Sequence, residues 1–383
     1  MEDIYFLAIE TSCDDTAIAV MKAKEENGKL KKIEALSNIV SSQTQLHAGY
    51  GGVYPSLAKR EHQKNLPAVF ETATKNFDVS KLKFIAVTHG PGLDPCLWTG
   101  INFAQDLAKK YGLPLVGANH LEAHFLANLL TLGIGEERFA KDYLPAVCLV
   151  VSGGHTILFL AKAIGGYQLL GQTVDDAAGE CFDKAARILG LGYPGGPEIA
   201  KFAGKYSAEV KPPLNRGSGS QTSTNFSAIK LPRPMMNQKN YNFSFSGLKT
   251  AVLYEVQKRE PEVVQSDGYK IAMSYEIQQA IIDVLVSKTS RAAKEYDVKS
   301  IIIGGGVSAN FALRDAMKKA ADEINVNPPS YKATAGAVKF LAPSAELSMD
   351  NAAMAGVAGY FAFKRGDVAA IPEDLKSEPN LCI

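Results

Sequence analysis

The chain opens on two apolar runs, IYFLAIE and DTAIAVMKA, parted by Thr11, Ser12, Cys13, Asp14 and Asp15. Short runs rich in Ile, Val and aromatic residues around a tight polar connection predict a β-hairpin. LKFIAVTHGPGL adds a strand over 84–87 that ends in a Gly/Pro loop. WTGINFAQDLAKKYG has apolar positions at helical spacing and stops at Gly112. LPLVGANH predicts a strand and HLEAHFLANLLTL a helix. From Leu144 the order restarts. LPAVCLVVSGGHTILFLAK is strand, small polar turn, strand, and KSIIIGGGVSANFALRDAMKKAADEI is strand, glycine loop, helix. The pattern predicts two related α/β domains joined within GIGEERFAKDY, with residues 1–138 in the first and 139–345 in the second.

Between Lys205 and Asn240 the periodicity fades and Ser, Thr, Asn, Gly and Pro take over. This stretch carries six basic residues (Lys205, Lys211, Arg216, Lys230, Arg233, Lys239) against the single acid Glu209. It reads as a long surface insertion over about 205–240, and a solvated loop and an RNA-contacting one both fit it.

Composition narrows the class. The 383 residues are 46% hydrophobic and 21% charged, enough to bury two ordinary cores. A net charge of +1 excludes a global field that would draw in nucleic acid, so any RNA-binding surface is a local patch or belongs to a partner. Five scattered cysteines without CxxC spacing argue for a reducing compartment and against a thiolate zinc site. The acidic start MEDIYFLAIE and the lack of a run of about 20 apolar residues point to a cytoplasmic protein without a membrane span.

Three turns follow strands: ETSCDDT, VSGGHT and GGGVSAN. Turns built of small residues offer backbone N–H groups to phosphate oxygens. None has the Lys-Ser/Thr pair of a P-loop, and tight hairpins need glycine for conformation alone. Two such hairpins at matching places suit a nucleotide held between two lobes. One aspartate of the first turn is explained as a turn cap. A second carboxylate beside a phosphate cradle makes sense as a metal-water contact or a proton acceptor.

NHLEAHF sets His120 and His124 at i and i+4, on one face of the expected helix. A carboxylate added to this pair would complete a triad suited to Fe(II) or Zn(II). The HExxH protease pattern fails, because Leu121 stands where its glutamate belongs and Glu122 is rotated away. Spacing alone leaves a metal pair and two helix-surface histidines equally open. His89 and His155 follow strands, and His47 and His62 bracket the glycine loop HAGYGGVYPSLAKREH.

Taken together these motifs resemble the TsaD family, the tRNA adenosine threonylcarbamoyltransferases of the sugar-kinase/Hsp70/actin (ASKHA) superfamily. The resemblance runs from about Phe6 to Gly356 through IETSCDDT, HAGYGGVYPSLAKREH, GPGL, HLEAH, LVVSGGHT, VDDAAGECFDKAARILGLGYPGGP, FSFSGLKT, GGGVSAN and MDNAAM. Asp15 stands where the family usually has Glu, and Ser56 replaces a common Glu. Asp94, Pro95, Cys96 and Trp98 replace small apolar residues, and the tail after Gly366 is atypical.

The resemblance implies an α/β fold of two actin-like lobes with mixed β-sheets, flanking helices and a ligand cleft between them. A C-terminal helix over 346–383 would pack back on the first lobe. It implies Asp350 as the metal ligand joining His120 and His124, with Fe(2+) the first expectation and Zn(2+) or Mg(2+) the alternatives. An adenylate would lie along Val150, Val151, Ser152, Gly153 and Gly154, with Asp183 and Gly196 at its ribose and Asn310 at its adenosine end. The implied reaction moves a threonylcarbamoyl group from threonylcarbamoyl-AMP to N6 of adenosine 37 in tRNAs reading ANN codons, releasing AMP. Asp14 is the catalytic candidate for proton removal, with Asp15 supporting it. Implied partners are tRNA, ATP, ADP or AMP, and TsaB-like and TsaE-like proteins. The alternative from another class is a nucleotide-binding scaffold of the same assembly with little transferase activity.

Overall fold

The opening hairpin forms as β1 (Glu2–Glu10) and β2 (Asp15–Glu26), antiparallel with Ile9 opposite Ile18, so the polar turn lies at the end of a sheet. The computed structural model describes residues 1–206, 229–326 and 337–383. β3 (Lys29–Ser42) extends the meander, and β4 (Leu82–Gly90) and β5 (Leu115–Asn119) join in parallel, giving the order β3-β2-β1-β4-β5. The second sheet repeats the plan. β6 (Ala146–Val151), β7 (Thr156–Ala163) and β8 (Gly166–Gln172) form a meander, and β9 (Ser300–Gly304) and β10 (Lys339–Leu341) add in parallel, in the order β10-β9-β6-β7-β8. The expected α/β class with two mixed sheets and flanking helices is the one observed.

Residues 6–9 of β1 and the whole of β6 are apolar and buried because both faces of each sheet are covered there. Along β1, Leu7 and Ile9 pack against helices Pro55–Thr74 and Asp94–Tyr111, while Phe6 and Ala8 face the opposite core. That opposite core is shared: it takes Phe6 and Ala8 from the first sheet, Cys148 and Val150 from the second, and Phe125 and Leu126 from helix His120–Leu132. The helix between the sheets is accordingly apolar on nearly all sides. Its two histidines are therefore buried at the seam of the molecule.

The last helix, Ala352–Arg365, lies on the first sheet. It is shorter than the expected 346–383, because Gly366 adopts a left-handed C-cap (φ 84°) and the chain beyond runs along β5 and the Gly90–Leu93 loop. The expected junction at 138/139 falls inside helix Glu136–Tyr143. Residues 207–228 of the expected insertion lie outside the described residues. Of the remainder, Leu231 is buried and Arg233 is held by Glu276 and Asp283, so this arginine is tied to the second lobe. Among the described residues no helix is long and apolar enough to cross a membrane.

Candidate metal centre and interlobe seam

β5 ends at Asn119, whose side chain accepts from the backbone N–H groups of Leu121 and Glu122 and so caps the histidine-bearing helix. The cap fixes the first turn, and with it His120. One turn later His124 points the same way, the two rings 4.6 Å apart at 76°. Asp350 arrives from the other end of the chain, immediately before Asn351, which caps the last helix through Met354 N–H. Its Oδ1 lies 3.2 Å from His124 Nε2 and 3.7 Å from His120 Nε2. The three ligand atoms fall within 4.8 Å of one another.

This donor set passes a simple test for a cation. His124 is fully buried, yet among the described residues its Nδ1 has no hydrogen-bond partner and its Nε2 meets only Asp350 Oδ1, at 3.2 Å. An imidazole left so would be costly in a neutral protein interior. Two imidazole nitrogens and one carboxylate at these separations match ligands about 2.1 Å from one ion. These residues could hold a divalent metal.

Behind His120 stands Glu10, fully buried, with Oε2 3.3 Å from His120 Nδ1. Glu10 also accepts from Ser12 N–H at 2.6 Å and from the Thr88 hydroxyl at 2.6 Å. A carboxylate on the far nitrogen of a ligating histidine fixes its tautomer and aim. Burial opposes charging His120, but Asp350 and Glu10 outweigh it and hold its pKa up at about 9. Burial likewise disfavours an ionised Asp350, yet His120 and His124 pull it well below the usual carboxylate range. His124 is held low by burial, and His155, 6.1 Å from the His120 ring, falls to about 4 through burial and its two histidine neighbours.

The polar turn borders this group. Burial, then Asp350, raises the pKa of Asp14, and the same two causes push Asp15 up to about 7. Asp15 Oδ1 is buried and among the described residues has no hydrogen-bond partner. From the second lobe, Asp183 accepts from Gly195 N–H at 2.7 Å, and burial raises it despite backbone N–H groups of Gly195 and Gly196. Tyr193 stands among Asp14, Asp15 and Asp183, and burial and these carboxylates raise its phenol. First-lobe and second-lobe acids thus face each other across the seam.

The remaining expected residues divide. The VSGGHT turn ties itself: Ser152 N–H donates to His155 O at 2.8 Å, and Ser152 Oγ accepts from His155 N–H at 3.1 Å. Gly153 and Gly154 have open space where a side chain would stand, so their backbone is accessible. Val150 and Val151 are buried in the β6 ladder, Val150 in the core the two sheets share and Val151 in the core on the other face of the second sheet. Asn310 caps the following helix through Leu313 N–H and donates to Gln278 at 2.9 Å. Glu10 and Tyr193 were not among the expected residues. Their signals were slight, a carboxylate ending an apolar strand and one aromatic within a glycine-rich motif.

Fold and site define a two-lobed α/β protein in which two histidines and an aspartate that could hold a metal ion meet where the two sheets share a core. A family model, "TsaD: tRNA N6-adenosine threonylcarbamoyltransferase", matches residues 34–357. The tRNA N6-adenosine threonylcarbamoyltransferase of Thermosipho africanus (strain TCF52B) is 43% identical over 379 residues, 98% of this chain and 99% of its own. That of Bacillus subtilis (strain 168) is 41% identical over 386 residues, 99% and 96% of the two chains. Among solved structures, T. kodakarensis HypF aligns with 97% of this chain and 49% of its own at 12% identity and a TM-score of 0.49, too distant to bear on function. The chain belongs to the TsaD family of tRNA N6-adenosine threonylcarbamoyltransferases, and it is a transferase that forms threonylcarbamoyladenosine in tRNA.

Proposed function

We propose that the chain takes threonylcarbamoyl-AMP as donor and modifies adenosine 37 of tRNAs reading ANN codons, releasing AMP. The observation that carries this reading is the convergence of His120, His124 and Asp350 beside the Asp14 turn, near Asp183 of the second lobe. The triad would hold one divalent metal, Fe(2+) in the first instance, since two histidines and a carboxylate with open positions suit that ion; Zn(2+) or Mg(2+) are the alternatives. When bound, the ion would supply positive charge for the donor's phosphate. Glu10 keeps His120 aimed, and the buried helix keeps His124 fixed. The backbone of Ser152, Gly153 and Gly154 would lie along the phosphate side of the adenylate. Asp183 with Gly196 would meet its ribose, and Asn310 its adenosine end; Val150 and Val151 would contribute through the strand that carries the turn.

Adenine's exocyclic amine is a weak nucleophile and must shed a proton as the new C–N bond forms. Asp14 is the proposed acceptor, and a raised pKa makes it a better base than an ordinary aspartate. Asp15 supports it from the same turn. The seam orients the two substrates, and orientation can supply roughly 7–11 kcal/mol of a barrier in favourable cases. We further propose two lobes, about 1–138 with the last helix returning to them and 139–345. The protein would work in the cytoplasm with TsaB-like and TsaE-like partners.

The test is a reconstituted transfer assay with unmodified tRNA, threonylcarbamoyl-AMP and the partner proteins, alongside His120→Ala and Asp14→Asn. Modified nucleoside from the wild type, its loss in His120→Ala, and adenylate binding without transfer in Asp14→Asn are expected. Normal turnover by Asp14→Asn removes that residue from the chemistry. Adenylate binding without any product under all combinations would favour the scaffold.

A further inference from the structure

The glycine loop ahead of helix Pro55–Thr74 has no part in the roles above. Its tyrosines, Tyr50 and Tyr54, stack on each other with ring centroids 5.8 Å apart and planes at 19°. Both stand in water, 63% and 55% exposed. The loop is nevertheless tied at its base. His47 is fully buried; its Nδ1 accepts from Tyr54 N–H at 3.4 Å and its Nε2 lies 3.2 Å from Gln43 Oε1. Gln43 donates its backbone N–H to Asp14 O at 3.1 Å, and His62 Nε2 lies 3.0 Å from Cys13 O. Two open aromatic rings therefore stand on a frame hydrogen-bonded to the polar turn itself.

The second lobe meets this loop. A side chain at Gly51 would lie 3.6 Å from Arg187 Nη1. Arg187 is exposed, follows Asp183 by one helical turn, and has no ion-pair partner among the described residues. Stacked aromatics on a loop that also meets an arginine without an ion-pair partner among the described residues are the chemistry that receives unpaired nucleotides: rings take base faces of any identity, and arginine takes a phosphate or a base plane.

We propose that Tyr50 and Tyr54, with Arg187 opposite, form a stacking platform for the unpaired nucleotides flanking the target adenosine. This rests on the reading that transfer takes place beside Asp14. To bring N6 to the donor, the adenosine must leave its stack, and its neighbours lose a partner. The tyrosine faces replace that stacking and hold the loop open at the seam. A net charge of +1 gives the chain little general attraction for phosphate, so contacts of this kind carry more of its own hold on RNA.

The experiment is steady-state transfer by the full chain with its partner proteins, comparing wild type, Tyr50→Ala/Tyr54→Ala, and Tyr50→Phe/Tyr54→Phe. The double alanine variant should raise the KM for tRNA on the order of tenfold or more, with the KM for threonylcarbamoyl-AMP unchanged and the phenylalanine variant near wild type. In parallel, 2-aminopurine placed beside the target adenosine should be quenched on binding wild type and the phenylalanine variant but not the alanine one. Tyr254→Ala, at an exposed second-lobe position, should move neither readout. Unchanged tRNA KM and quenching in the double alanine variant overturn the platform while wild-type transfer upholds the site. An equal loss of adenylate affinity makes the loop merely structural and also overturns the platform. No transfer by the wild type overturns the site reading instead, and tyrosine-dependent quenching would then still uphold the platform.

Discussion

A carboxylate sealed from water at the end of an apolar strand is expensive unless its oxygens are held. Glu10 is held on both, by Ser12 N–H on one side and by Thr88 and His120 on the other. Glu10→Gln keeps the size and removes the charge that aims His120. It should bind metal 10–100-fold more weakly with the fold retained, measured by competition with a chromophoric chelator and by circular dichroism. Unchanged affinity would detach Glu10 from the centre. The histidine pair was legible from its i, i+4 spacing, since a helix sets both rings on one face. Asp350 was not, because its approach depends on a helix that returns from the far end of the chain; only family resemblance pointed to it. Glu10 escaped notice for a related reason. A charged residue closing an apolar run ordinarily marks where a strand meets water, and here it enters the interior.

The same approach can be tested at the level of the last helix. It lies close on the first sheet because Gly356 and Gly359 have no side chains: a Cβ at Gly359 would stand 2.3 Å from Ala86 Cβ, and one at Gly356 2.7 Å from Met21 Cγ. Gly359→Ala must lift the helix or shift β4, at about 1–3 kcal/mol of stability. Because Asp350 immediately precedes this helix, metal affinity should fall as well. Denaturant melts and metal titrations of Gly359→Ala, with the exposed Ala370→Gly beyond the helix as control, would separate a helix-borne effect from a general one. A stable variant with normal affinity would show that the close approach is not what positions Asp350. Elements with two covered faces, such as β1, β4, β6 and β9, were readable as apolar runs. The edge strands β3 and β8 were not, because their outer faces meet water and their polar residues break the run. Helix Pro55–Thr74 was hidden by the glycines ahead of it and by Pro67 within it.

On the scale of the whole molecule, the centre joins three parts of the chain, the opening hairpin through Glu10, the helix between the sheets, and the last helix through Asp350, beside the Tyr360–Glu25, Lys364–Glu25 and Arg365–Glu122 contacts that also tie the last helix to the other two. Without metal, the buried pair of carboxylates is balanced by a proton on His120, whose pKa stands at about 9 against an ordinary 6.5. The sign follows from that rise. The protonated histidine stabilises the metal-free fold fully below about pH 6.5, and that contribution is lost as pH climbs through 9. Metal must displace the same proton, so its apparent affinity should rise with pH over this window. The chelator-treated protein should therefore melt lower at pH 8.5 than at pH 6.5, while metal at about 100 times its Kd should restore roughly 2.7 kcal/mol. Asp350→Asn should lose most of that metal response. A metal-free protein whose melting temperature ignores pH in this range would place the balancing proton elsewhere. An Asp350→Asn variant that still responds fully to metal would remove Asp350 from the ligand set.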